Sequence, residues 1–209
     1  MSAPDKIVFI VDDDASVRKS LLRLFRSAGF RAEAFASARA YLDRAAHDGP
    51  SCLVLDVQMP EVTGLDLQRA LAESGREEQV IFMTGKGDIP MCAKAMKAGA
   101  ADFLPKPFDD AELLAAVERA LVRSSEDRLR LAGQTEARAR IAALSPREFQ
   151  VFEGVIAGKM SKEIAADLGT ALKTVKVQRG RVMEKMRVSS VADLVKMAQQ
   201  AGAMPPAGS

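Results

Sequence analysis

Residues 6–20 read KIVFIVDDDASVRKS. Five apolar residues, Ile7 to Val11, run directly into Asp12, Asp13 and Asp14. A short continuous run of Val, Ile and Phe suits a strand buried on both faces. Three adjacent carboxylates at the end of such a strand repel one another and resist desolvation. The stretch therefore predicts a buried strand whose carboxyl end carries an acidic site. Asp14 is better read as the N-cap of a helix starting at Ala15, where a carboxylate also suits the positive helix end.

Four further runs repeat the pattern: RAEAF (31–35), SCLVLD (51–56), QVIFMT (79–84) and ADFLPK (101–106). Between and after them lie amphipathic stretches at 15–28, 38–48, 64–74, 89–98 and 109–123. Ser37 and Asp88 are candidate N-caps, and Gly29 and Gly99 stand where helices end. Five βα units imply a parallel sheet with helices on both faces. The expected fold class is α/β, a five-stranded doubly wound parallel sheet of order 2-1-3-4-5.

The second half shows no strands. LRLAGQTEARARIAAL (129–144) is polar and helix-tolerant, and reads as a linker. Ser145-Pro146-Arg147-Glu148 has the form of a capping box with Pro at the first helical position, opening a helix to Ala157. Further helices are expected at 161–168, 173–187 and, capped by Ser190, to about Ala201. Short helices between tight Gly turns form the helix-turn-helix pattern, a second, all-α domain. The expected boundaries are 1–123 for the α/β domain, 124–143 for a helical linker, 144–202 for the helical domain and 203–209 for a disordered tail.

Composition narrows the function. The chain has 209 residues, no Trp, one Tyr and one His. His47 sits in the polar stretch HDGPS and reads as a surface turn residue, so a His-based triad is excluded. Cys52 and Cys92 are 40 residues apart without CxxC spacing and read as reduced, packed thiols of a cytoplasmic protein. The N-terminus lacks signal-peptide features, and no apolar run approaches the ~18–20 residues of a membrane span. Charge is split. Residues 1–122 carry 15 Lys+Arg against 19 Asp+Glu, whereas residues 123–209 carry 15 against 9. The basic half is the candidate for an anionic partner.

In an open parallel sheet, ligands bind beyond the carboxyl ends of the strands at the switch point. Those ends carry Asp12-Asp13, Asp56, Thr84 and Lys106, the last two followed by Gly85-Lys86-Gly87 and Pro107. Strands one and three are neighbours in the expected order, so Asp12, Asp13 and Asp56 should converge, with Thr84 and Lys106 on the far rim. A hard divalent cation and Lys106 would offset the charge. A metal, a lysine and a hydroxyl around one carboxylate make a site for phosphoryl transfer, with the carboxylate oxygen attacking.

VDDD (11–14), LDVQMP (55–60), MTGKGDIP (83–90) and FLPKPF (103–108), in that order and spacing, resemble the receiver domain of two-component response regulators. The resemblance implies Asp56 as phosphoacceptor. It implies Mg²⁺ (or Mn²⁺) bound by Asp13, with help from Asp12, Asp56 and the backbone carbonyl of Gln58. Thr84 and Lys106 would contact the phosphoryl group, Phe103 would change rotamer with Thr84, and the Lys106–Pro107 bond would be cis. Gln58 and Lys86 would flank the path of attacking water.

In KTVKVQRGRVMEKMR (173–187), Val175, Val182 and Met186 share one arc at 100° per residue, and six Lys/Arg stand against one Glu. Such a helix after a short helix and a Gly turn suits the DNA major groove. LSPRE, KEIA, TVKV and RVMEKM within 144–195 resemble the LuxR/FixJ-type helix-turn-helix, and the whole chain except its tail resembles a FixJ-type response regulator of the NarL/FixJ class. The DNA-contacting residues so implied are Lys173, Thr174, Lys176, Val177, Arg179 and Arg181, with Lys176 and Val177 reading bases. Ala171 stands where the family carries a capping Ser or Thr, Thr170 where an apolar residue is common and Gln178 where His is usual. Gly180 occupies a groove-facing position.

The resulting expectation is a transcription factor, not an enzyme beyond Mg²⁺-dependent self-phosphorylation and autodephosphorylation. Its partners would be a sensor histidine kinase, double-stranded DNA, a second copy of itself when phosphorylated and, as a further candidate, RNA polymerase, with no membrane partner. Two rivals use the same residues. An aspartyl-phosphate phosphohydrolase would need a cap domain, which the chain lacks. A phosphorelay or protein-binding adaptor would have a helical domain that no longer binds DNA.

Overall fold

The computed structural model describes residues 5–76, 78–85 and 89–203, with the backbone alone at 89–92. The chain divides into two compact units, Met1–Arg128 and Leu129–Ser209. The first contains β1 (Ile7–Val11), α1 (Ala15–Ser27), β2 (Arg31–Phe35), α2 (Ala38–Leu42), β3 (Ser51–Asp56), α3 (Gly64–Glu73), β4 (Gln79–Thr84), α4 (Ile89–Lys97), β5 (Asp102–Pro105) and the start of α5 (Asp110–Ala142). All four strand pairings are parallel, and the order is β2-β1-β3-β4-β5, as the sequence predicts.

β1, β3 and β4 are buried along their whole length, which is why they read as unbroken apolar runs. The edge strands β2 and β5 are partly exposed. Side chains alternate between two layers. Ile7, Phe9, Val11, Leu53, Leu55, Val80 and Phe82 pack with Tyr41 of α2, Leu67 and Leu71 of α3 and Ala95 of α4. Val8, Ile10, Cys52, Val54, Ile81 and Met83 pack with Leu21 and Phe25 of α1 and Leu113 and Val117 of α5. With helices on both faces, the carboxyl ends of the strands are where a ligand meets the sheet. The register sets Val11 opposite Leu55, Asp56 opposite Met83 and Thr84 opposite Pro105, so the ends of β1, β3, β4 and β5 come level.

One helix departs from expectation. α2 ends at Leu42 rather than near residue 48. The Arg76 guanidinium donates to the carbonyls of Leu42 and Arg44 at 3.2 and 3.3 Å, satisfying helix-end acceptors that another turn would otherwise use. Arg44 folds over the rings of Phe9 and Tyr41, 3.9 and 4.4 Å from their centroids, and pairs with Glu78. Tyr41 donates its hydroxyl to Glu78 Oε2 at 2.6 Å; burial and the Glu78 carboxylate raise its pKa well above the ordinary value. His47, expected as a surface turn residue, is half-buried edge-on against Phe9, with Nε2 2.9 Å from the Asp5 carbonyl oxygen. Burial pushes the Cys52 thiol far up, so it stays protonated. α5 runs on to Ala142, through the residues read from sequence as a helical linker. Residues 124–142 contain no Pro, and Gly133 alone among them is a poor helix former.

The second unit contains the end of α5, α6 (Pro146–Ile156), α7 (Ser161–Asp167), α8 (Leu172–Met186) and α9 (Val191–Ala201). Val151, Phe152, Val155, Ile164, Val175, Val182, Met186, Leu194 and Ala198 form its core. Gly154 lets α6 and α7 meet: a Cβ there would lie 2.7 Å from Ile164 Cγ1. The capping box at Ser145 is present, and Glu148 also takes the Lys185 ammonium at 2.6 Å. These donors hold the Glu148 carboxyl down at about 2, with the Lys185 hydrogen bond the main cause. Cations also reach helix ends, Arg140 donating to the Met186 carbonyl and Arg138 to the Ala201 carbonyl at 2.9 and 3.2 Å. Residues 129–142, read from sequence as linker, are thus tied to α8 and α9. Among the described residues, no helix is long and apolar enough to cross a membrane. Lys86, Gly87, the Asp88 cap, the Cys92 side chain and residues 204–209 of the expected tail lie outside the described residues.

Candidate functional site

Asp12 follows β1, Asp56 closes β3, Thr84 closes β4 and Lys106 follows β5. The sheet order brings the first, second and fourth into contact. Lys106 Nζ lies 3.0 Å from Asp12 Oδ2 and 3.0 Å from Asp56 Oδ1. Both carboxylates are buried, and the lysine is partly so. Asp12 Oδ1 accepts the Asp14 N–H at 2.8 Å, Asp56 Oδ2 accepts the Gln58 N–H at 3.2 Å, and the Asp12 carbonyl accepts from Arg18 at 2.7 Å. Burial raises the Asp56 pKa; the Lys106 hydrogen bond and charge oppose that, and the Asp12 charge adds to it. Burial alone would lower the Lys106 pKa, but its hydrogen bonds to Asp56 and Asp12 outweigh this, and it is raised. One ammonium between two buried carboxylates leaves a net negative, oxygen-lined site.

Thr84 is 1% exposed on the neighbouring strand end, and its carbonyl accepts the Lys106 N–H at 2.6 Å. Phe103 is half-buried on β5 and packs toward the α2–α4 side. Asp14 caps α1, its Oδ1 accepting the N–H and hydroxyl of Ser16 at 2.7 and 2.6 Å; these bonds lower its pKa. The Lys106–Pro107 peptide is cis. Asp13 and the Gln58 side chain are exposed on the rim. Among the described residues, no group of three or more His, Cys, Asp or Glu is arranged to hold a metal ion. The donor set still fits Mg²⁺, which binds through one or two carboxylates and keeps several waters.

Two contributors carried no clear sequence signal. Arg18, one turn into α1, holds the Asp12 carbonyl. Gly64 starts α3 so close to β3 that an added Cβ would lie 2.5 Å from the Asp56 carbonyl oxygen. A glycine at a helix's first residue, a poor helix former, is the hint that could have marked it.

On α8, Lys173, Thr174, Lys176, Val177 and Arg181 are exposed, and Val177 is 50% so. Val175, Val182 and Met186 are buried on the opposite side. Arg179 stands apart from the predicted set: it is half-buried, with Nη1 3.4 Å from Ser161 Oγ at the start of α7. Ala171 makes no side-chain cap for α8.

The family model described as response regulator receiver domain matches residues 8–118, and that of bacterial regulatory proteins of the luxR family matches residues 142–198. The chain is 49% identical over 196 residues to nodulation protein W of Bradyrhizobium diazoefficiens, covering 94% of this chain and 86% of that protein. It is 46% identical to the transcriptional regulatory protein FixJ of Azorhizobium caulinodans, covering 95% and 94%. Among solved structures, the response regulator StyR superimposes with a TM-score of 0.84 at 43% identity, covering 94% of this chain and 99% of that one. Full-length FixJ from B. japonicum gives 0.56 at 39% identity, covering 95% and 98%.

Proposed function

Since the chain belongs to the transcriptional response regulators of two-component systems, joining a receiver domain to a LuxR-type DNA-binding domain, we propose that phosphorylation of Asp56 controls its binding to DNA. The observation that carries this reading is Lys106 Nζ held 3.0 Å from both Asp12 and Asp56. Asp56 is the member of the pair that closes the central strand β3. Its carboxylate oxygen attacks the phosphorus of a kinase phosphohistidine; a P–O bond forms, the P–N bond breaks, and the imidazole leaves. Small phosphodonors serve in the same way, and water later hydrolyses the acyl phosphate. Asp12, Asp13, Asp56 and the Gln58 carbonyl would hold Mg²⁺ (or Mn²⁺), which supplies charge neutralisation for the transferring phosphoryl group. Lys106 exchanges Asp56 Oδ1 for a phosphoryl oxygen, and the Thr84 hydroxyl donates to another.

The new group carries about −1.5 to −2 charge where one carboxylate stood. Thr84 and Lys106 are drawn toward it, and Phe103 follows. The surface of residues 88–123 then favours a homodimer in the cytoplasm. Two joined DNA-binding domains engage a two-fold site, the second contact being intramolecular. Lys173, Lys176 and Arg181 meet phosphates or guanine edges, and Val177 a thymine methyl. RNA polymerase is a further candidate partner of the DNA-bound dimer. Acid-quenched peptide mapping after treatment with a phosphodonor and Mg²⁺ tests the assignment. A phosphoryl group on the peptide carrying Asp56, absent from Asp56→Ala, is expected; one elsewhere refutes it.

A further inference from the structure

We propose that Gly180 is a specificity-determining residue: by presenting no side chain on the exposed face of α8, it lets the helix backbone approach DNA closely enough for Val177 to read a base. This rests on α8 being the helix that enters the groove.

Gly180 lies inside α8 and is exposed. Nothing in the fold asks for it. Its backbone is not among the left-handed glycines, and an added Cβ would meet nothing within 4 Å. Gly64 and Gly154 are different, because a Cβ at either would collide with a neighbour. A glycine in a helix interior weakens the helix, and α8 already lacks a side-chain N-cap. The helix thus carries a local cost that packing does not explain.

Position on the helix supplies the reason. At 100° per residue, Gly180 lies about 20° from Lys173, about 40° from Lys176 and about 60° from Val177. All three are exposed, and Val177 is the apolar member of a charged face. The missing side chain leaves a notch beside two lysines and one valine. Lysines reach phosphates on long stems, but a valine contacts a thymine methyl only at van der Waals distance. Close backbone approach is a characteristic use of glycine. Filling the notch should therefore stabilise the free protein and weaken its sequence-specific binding, two effects of opposite sign.

The experiment uses the full chain treated with a phosphodonor and Mg²⁺. Duplexes are first enriched by the wild-type chain from a pool with a random core. The affinities of wild type, Gly180→Ala, Gly180→Leu and Lys173→Ala/Lys176→Ala are then measured for an enriched duplex and for a random one at fixed salt. Gly180→Ala should melt a few degrees higher and bind the enriched duplex more weakly by on the order of tenfold. Its affinity for the random duplex should stay within about twofold, because phosphate contacts remain. Gly180→Leu should lose more on the enriched duplex. The lysine variant should lose affinity for both duplexes. Undiminished binding of the enriched duplex by Gly180→Ala overturns the proposal, and so does an equal loss on both duplexes. Failure of the wild-type chain to enrich any sequence also overturns it. If the lysine variant binds both duplexes normally, the failure lies in the assignment of α8 itself.

Discussion

Lys106→Met keeps the aliphatic stem and removes the ammonium between the two carboxylates. Nζ is 3.0 Å from one oxygen of each, so those oxygens are at most about 6 Å apart. At an effective dielectric constant of about 20, unit charges at that separation repel by about 3 kcal/mol. The Asp12 and Asp56 side chains are only 2% and 9% exposed, which limits screening by salt. The variant also loses two attractions, but regains the desolvation cost of the lysine, which is 28% exposed. The expected loss of receiver stability is therefore about 3 kcal/mol in metal-free buffer at pH 7, at the lower end of what breaking a buried pair costs. The assay follows from composition. There is no Trp and a single tyrosine, Tyr41, which is fully buried in the receiver unit. Near-ultraviolet circular dichroism of that side chain reports unfolding of this unit in urea, apart from the helical domain. Millimolar Mg²⁺ should stabilise the variant more than the wild type, because two uncompensated carboxylates remain to bind it. Wild-type stability of Lys106→Met without metal, within about 0.5 kcal/mol, would refute the reasoning.

Three further outcomes are expected. The Glu148 carboxyl is held down at about 2, so its contribution to the helical domain is complete above the ordinary carboxylate range and is lost as pH falls through about 2; acid titration by far-ultraviolet circular dichroism should show this dependence in the wild type and its absence in Glu148→Gln. Gly64→Ala sets a Cβ against the Asp56 carbonyl; it should cost about 1–3 kcal/mol of receiver stability and slow phosphorylation by a small phosphodonor, so unchanged stability would contradict the close approach. Ala171→Ser supplies the missing cap of α8 and should stabilise the helical domain by about 1 kcal/mol, measured by thermal denaturation.

What the sequence reveals depends on the range of the interaction. The buried strands β1, β3 and β4 are legible because burial on both faces leaves an unbroken apolar run, and five βα units narrow the sheet order. Once the order is set, Asp12, Asp56 and Lys106 have to meet, since a parallel sheet gathers its carboxyl ends at one edge. The capping residues Asp14, Ser37 and Ser145 are legible because their bonds are local. The end of α2 is not, because it depends on Arg76 and Glu78, more than 30 residues away in sequence. The helical linker is legible, but its continuity with the rest of α5 is hidden for another reason: the amphipathic period fades near residue 123, while helix propensity continues. Arg179 shows the limit of reading charge along a helix. It lies in a basic run, yet its guanidinium turns back to Ser161 rather than joining Lys173, Lys176 and Arg181 on the open face.

The measurement closest to the central claim is the affinity of the full chain for an enriched duplex, in Mg²⁺, with and without a phosphodonor, for wild type and Asp56→Ala. Joining two DNA-binding domains in a dimer should tighten wild-type binding by on the order of a hundredfold, with no gain for Asp56→Ala. An equal gain in both proteins, or none in the wild type, would contradict control through Asp56.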